Sequence, residues 1–213
     1  MNLVVKPSRI HRTPTALGVS LTLSLCCAPV YAGPHKVIDL RNKSDTDGLT
    51  REVSLCARPS PPPAPAALPG HMFLGFGQSN PDMTWSYSAV GHTTSAPLAN
   101  TLLTYTGLVP SVPGYLGGEK YTATKEQCLV FQVNKQPYET ALSYVKSPLD
   151  QLLSPWQPRP PVLLAYSLGS DDCIGFSVQV INSLLPAGKT LPPRGPLELP
   201  LDYVRRIIDT FSL

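Results

Sequence analysis

The chain has 213 residues, 42% of them hydrophobic and 15% charged. That length allows one domain or two at most, and that balance excludes a fully disordered, solvating chain. Proline is in excess, with 25 residues where a share of about 5% is usual, so a bundle of long uninterrupted helices is excluded as well. The net charge of +3 is carried by Lys6, Arg9 and Arg12, and the other 14 basic side chains are matched by 14 acidic ones. Such a balance gives no reason to expect a nucleic-acid partner.

In chain order, the three cations of residues 1–15 precede an apolar run of 12, Ala16 to Cys27, and then Val30-Tyr31-Ala32. This is the three-part pattern of a secretory signal cleaved before Gly33. As a helix the run spans about 18 Å, short of the roughly 30 Å hydrocarbon core, so no membrane span is expected. Leu25 before Cys26 is a poor match to the small residue of a lipid-attachment site. Removal of residues 1–32 leaves Cys56, Cys128 and Cys173, in the oxidising setting of a periplasmic or secreted protein. Three is odd, so at least one thiol is unpaired within the chain. If Cys56 and Cys128 pair, Cys173 is free; their spacing does not decide between a bridge and two buried thiols.

Residues 33–66 read as an arm with a short strand at Val37–Leu40, an alternating strand at Glu52–Arg58, and a loop. In that loop, Pro59 to Pro69 carries six prolines in eleven positions, which keeps it extended and out of a sheet interior. Residues 67–213 read as the folded domain. His71–Phe76 is a strand, Gly77–Pro81 a turn, and Met83–Val90 a second strand ended by Gly91-His92. Residues 95–118 read as loop, broken at Gly117-Gly118. Thr124 to Gln127 matches a capping box and predicts a helix through about Val133. Tyr138 onward is helix-compatible until Pro148, Ser154–Pro161 is a second proline-rich loop, and Val162–Tyr166 is a strand. Pro200 and Asp202 open a closing helix whose Val204, Ile207, Ile208 and Phe211 share one face.

The sequence has no C-x-x-C and no H-E-x-x-H, and His35, His71 and His92 are scattered, so no metal site is expected. Gly75-Phe76-Gly77 opens like a dinucleotide loop, but Asn80 stands where the third glycine belongs. A serine elbow is absent, and no cofactor is expected. The cysteine chemistry is better supported. Ser170-Asp171-Asp172-Cys173 precedes Ile174, Val178, Ile181 and Leu185, which fall on one helical face. Asp171 or Asp172 is then the N-cap, and Cys173 lies in the first turn, where amides and the dipole favour a thiolate and can bind an oxyanion. The same stretch alternates as Ile174, Phe176, Val178, Val180, which leaves a strand open as the alternative. Aspartates pointing at the sulfur would also oppose a thiolate. The base is His71 or His92, each at a strand end, with the other free to orient it.

Gly70-His71-Met72-Phe73-Leu74 resembles the strand that opens circularly permuted papain-like domains. Tyr166 to Phe176 resembles the segment that begins their catalytic helix. These domains include NlpC-type cell-wall peptidases, permuted amidases and the lecithin–retinol acyltransferase group. Thr122 to Asn134 is similar to the helix before that cysteine, and Pro200 to Phe211 to a proline-started closing helix. The resemblance covers residues 67–213 loosely and two short segments closely. It implies an α+β, papain-like permuted fold with a small antiparallel sheet packed against a catalytic helix. Cys173 would be the nucleophile and His71 the base. His92, with Ser86 behind it, would be the residue that orients the imidazole. Asp172 departs from the asparagine common before the cysteine, and the insertion around Pro148–Pro161 is large.

Two functions follow as expectations. One is an exported cysteine hydrolase, an amidase or peptidase, acting on peptidoglycan peptide amides; lipid acyl esters are its second substrate class, handled by hydrolysis or acyl transfer. Trp85, Tyr87, Tyr115 and Trp156 are candidates to line either groove. The other is a non-catalytic binding or immunity-type protein with an envelope protein as partner, in which Cys173 is structural.

Overall fold

The computed structural model describes residues 35–42, 47–59, 70–119, 126–146 and 163–213. The cleavage site and leader, most of the first proline-rich loop, Thr124, Pro148 to Pro161 and Trp156 lie outside the described residues. All the described residues belong to one unit, 31–213.

The architecture is α+β. Among the described residues, seven strands form one sheet: β1 (His35–Asp39), β2 (Arg51–Arg58), β3 (His71–Ser79), β4 (Trp85–Thr94), β5 (Val112–Gly118), β6 (Gln127–Val133) and β7 (Leu163–Tyr166). Their order is β1-β6-β2-β3-β4-β5-β7. Only the β1–β6 pair is parallel; the other pairs are antiparallel. Among the described residues, four helices accompany the sheet: α1 (Leu98–Tyr105), α2 (Lys135–Ser143), α3 (Cys173–Asn182) and α4 (Pro200–Thr210). No helix among the described residues is long and apolar enough to cross a membrane.

The central strands are buried on both faces. On one face Val53, Leu55, Leu74, Phe76, Leu129 and Phe131 pack with Ile174, Val180 and Ile181 of α3 and with Tyr203, Val204 and Ile207 of α4. On the other, Cys56, Phe73, Ala89, Cys128 and Val130 form a second cluster. Cys56 and Cys128 are register partners on β2 and β6 and form a disulfide, with Cα atoms 4.2 Å apart. That spacing is close to the short, non-hydrogen-bonded pair of an antiparallel ladder, where side chains stand nearest.

Two readings of local structure are corrected. Residues 95–118 hold α1 and β5 rather than a loop. The capping-box match does not open a helix: Gln127–Val133 is β6, so the segment likened to a helix before the cysteine is a central strand. Leu129, Val130 and Phe131 are each at most 1% exposed. Burial of successive residues on both sides suits a central strand and gives no helical stripe. The helical reading of Ile174 onward holds over its strand alternative. The first three strands and β7 fall near their expected places, and β4 runs four residues past Val90.

Candidate active site

Asp172 has extended backbone (φ −104°, ψ −171°) and caps α3, its carboxylate accepting the Ile174 and Gly175 amides at 2.9 and 3.0 Å. Cys173 is therefore the first helical residue, where the helix dipole favours an anion. It is the free cysteine among the described residues, and 5% exposed. Gly175 permits the tight entry, since a β-carbon there would lie 2.1 Å from the Ser170 carbonyl oxygen.

His71 reaches the site from β3. Gly70, at φ +68°, turns the chain into the strand; a β-carbon would stand 2.6 Å from the Arg58 carbonyl. His71 then pairs with Arg58 across β2–β3. Its Nε2 lies 2.9 Å from Glu119 Oε1, and its other side-chain partner is Cys173. Burial pushes the His71 pKa down, but the hydrogen bonds and charges of Cys173 and Glu119 outweigh it and hold the imidazole at about 9. At neutral pH the ring is an imidazolium, so Nε2–H donates to the carboxylate.

Glu119 is the residue that sequence reasoning missed. It follows β5, and its amide donates to the Ala89 carbonyl at 2.8 Å, which fixes it beside β4. Its second carboxylate oxygen accepts from the Arg58 guanidinium, which also stands 5.3 Å over the Phe73 ring. Burial alone would raise the Glu119 pKa; the His71 hydrogen bond and the charges of His71 and Arg58 reverse this and hold it below the usual value. Gly91 makes room for the pair, because a β-carbon there would meet His71 Nε2 at 2.3 Å and Glu119 Oε1 at 2.9 Å.

His92 does not orient His71, which corrects the expected assignment. It is 2% exposed, and neither ring nitrogen has a hydrogen-bond partner. It packs edge-on against Tyr166 and Phe176, with centroids 5.1 and 5.7 Å away. Burial lowers its pKa more than the Asp172 backbone and the Asp171 and Asp172 carboxylates raise it, so the ring stays neutral. Ser86, the residue behind it, is exposed near the start of β4 and bonds Asn80. The Trp85 and Tyr87 rings, tilted with centroids 6.1 Å apart, lie at that same end of β4, opposite Ser79 and Gly77, away from His71.

Tyr166, at the end of β7, faces Cys173. Its pKa is raised by burial and then by the Cys173 charge, so the hydroxyl keeps its proton and remains a donor towards the Cys173 sulfur, while its oxygen accepts from the Cys173 backbone amide. Next to this group a cleft of about 370 Å³ is lined by Ala165, Ser170, Asp171, Phe176, Gln179 and His92, among others. Among the described residues no group of three or more His, Cys, Asp or Glu side chains is placed to hold a metal ion.

The structure thus brings Cys173 and His71 together, adds Glu119 behind the imidazole, and leaves His92 in an aromatic pocket. Compared with protein-family models, with curated proteins and with solved structures, the chain matches none.

Proposed function

We propose that the protein is an exported cysteine hydrolase of papain-like, circularly permuted type, cleaving peptide amides of the cell wall. The observation that carries this reading is the chain of contacts Cys173–His71–Glu119 at the first turn of α3. The Cys173 thiolate attacks the amide carbonyl, and the oxyanion is met by the Cys173 amide and the Tyr166 hydroxyl. The His71 imidazolium gives its proton to the leaving amine. It then takes one from water, which attacks the acyl-enzyme carbonyl and releases the acid. Glu119 holds the ring and favours its charged form. The Cys56–Cys128 disulfide accords with an oxidising compartment. The neighbouring cleft, of a size usual for a ligand pocket, offers Ser170, Asp171 and Gln179 to a peptide backbone.

The test is incubation of the full chain with muropeptides that carry stem peptides, with mass spectrometry of the new ends. A single amide should be cut, and Cys173→Ser should lower the rate at least about a thousandfold, as loss of a nucleophile does. One observation favours the second reading, a non-catalytic binding protein. Cys173 is 5% exposed, and residues on either side of it, rather than its sulfur, line the cleft. No cleavage of muropeptides or lipid esters by wild type, with tight binding of an envelope protein, would decide for that reading.

A further inference from the structure

The Asp172 carboxylate is adjacent to the proposed nucleophile and 2% exposed. An uncompensated anion at that place opposes a thiolate. Its oxygens are fully engaged, however. Oδ1 takes the Ile174 and Gly175 amides, while Oδ2 takes the Gly169 amide at 3.0 Å and Arg194 Nη1 at 2.5 Å. Arg194 comes from the segment between α3 and α4, and that segment is itself held in place. Arg194 Nε donates to the Glu198 carbonyl at 2.8 Å, and the Gly195 amide to Glu198 Oε2 at 2.8 Å. Arg206 of α4 grips the Glu198 carboxylate at 2.6 and 2.7 Å, and Tyr203 bonds the Pro192 carbonyl at 2.8 Å. The Leu191 amide is tied back to Asn182, the last residue of α3, at 2.8 Å. The guanidinium is delivered by a braced segment rather than by a free surface side chain.

We infer that Arg194 is a positioning residue of the Cys173 site: it neutralises the Asp172 cap and turns that carboxylate away from the sulfur, so the helix end presented to the thiolate stays positive. This rests on the hydrolase reading of Cys173. The other groups facing the sulfur are His71 from β3 with Glu119 behind it and Tyr166 from β7; His92 from β4, which is neutral, stands near Asp172 and His71. Asp171 and Asp172 come from its own loop. Removing the Arg194 charge leaves the acidic side of this set uncompensated.

The experiment is the pH midpoint of Cys173 alkylation by iodoacetamide, in the full chain, read on the Cys173 peptide by mass spectrometry. No substrate is needed. Arg194→Gln should raise the midpoint by about one pH unit, in the range that an uncompensated neighbouring carboxylate produces. Arg194→Lys should restore most of it. The double variant Asp172→Asn/Arg194→Gln should return to the wild-type midpoint, because the charge to be compensated is gone. An unchanged midpoint in folded Arg194→Gln would overturn the inference. So would a loss of fold, or a raised midpoint, that neither Arg194→Lys nor the double variant restores, since Arg194 would then act only as a structural brace. A wild-type Cys173 whose alkylation ignores His71→Ala would instead sink the hydrolase reading, whatever Arg194 does.

Discussion

Glu119→Gln separates the charge of the Glu119–His71 contact from its shape. In the native site Cys173 and Glu119 together outweigh burial and raise His71 from 6.5 to about 9, which corresponds to about 3 kcal/mol at 1.36 kcal/mol per unit, and the Glu119 share is one part of that. The sign follows from linkage. Because the folded value is raised, this stability is fully present below pH 6.5 and is lost as pH rises through 9. Glu119 is held below its ordinary 4.5, so its share is present above 4.5 and disappears as pH falls through its folded value. The pair therefore stabilises most between about pH 4.5 and 6.5, and its contribution falls away as pH rises from 6.5 to 9. Both side chains are mostly buried, at 20% and 12% exposed, so solvent screening removes little. Glutamine keeps an acceptor at the same place but removes the anion. It should cost about 1–2 kcal/mol at pH 6, the usual range for a charged hydrogen bond made neutral, and should move the alkaline fall of activity down by about one pH unit. Urea denaturation at pH 6 and at pH 9.5 reads the first effect, and a pH–rate profile the second. A variant with wild-type stability at both pH values and an unshifted alkaline limb would refute the assignment of Glu119 as His71's charge partner.

Gly91→Ala should force His71 off its position, since the new methyl would lie 2.3 Å from Nε2; alkylation of Cys173 at pH 6 should fall at least about tenfold, with a stability loss of about 1–3 kcal/mol, and an unaffected rate would count against the geometry. The double variant Cys56→Ala/Cys128→Ala opens a bridge between residues 72 apart in sequence, which chain entropy values at about 4 kcal/mol; a urea midpoint equal to wild type would show that the bridge does not form. Asp172→Ala removes the cap and leaves Arg194 unpaired, and should cost about 2–3 kcal/mol, measured as a drop in the same midpoint.

Much of the site could be read from residues. Asp172-Cys173 followed by apolar side chains three and four apart marks a capped helix, and Gly70-His71 before an apolar run marks a strand entered by a turn. The capping-box match at Thr124 misled because the hydrophobic run after it, Cys128 to Phe131, has no period that separates a buried strand from a helix. Residues 112–118 looked like loop because Pro113 and three glycines interrupt any alternation. The glycines answer to tertiary crowding instead. A β-carbon at Gly114 would meet Tyr166 Cβ at 2.8 Å and His92 Nε2 at 2.9 Å, and one at Gly117 would meet the Tyr115 ring at 3.2 Å. Glu119 was hidden by the same glycines, read as a break rather than as a strand end beside β4. The usable signal was a lone acid following a strand-like Tyr115-Leu116. His92 drew attention as a histidine at a strand end, yet burial and aromatic packing make it neutral and unpartnered, which composition and spacing do not encode.

The most direct test is Cys173 alkylation against pH in wild type and His71→Ala, resolved peptide by peptide. If the sulfur and imidazole form the reactive pair, wild-type Cys173 is alkylated at pH 6, well below the ordinary thiol range near 8.5, and His71→Ala abolishes that low-pH reaction. A Cys173 that is inert at every pH, or that reacts identically with and without His71, would contradict the account.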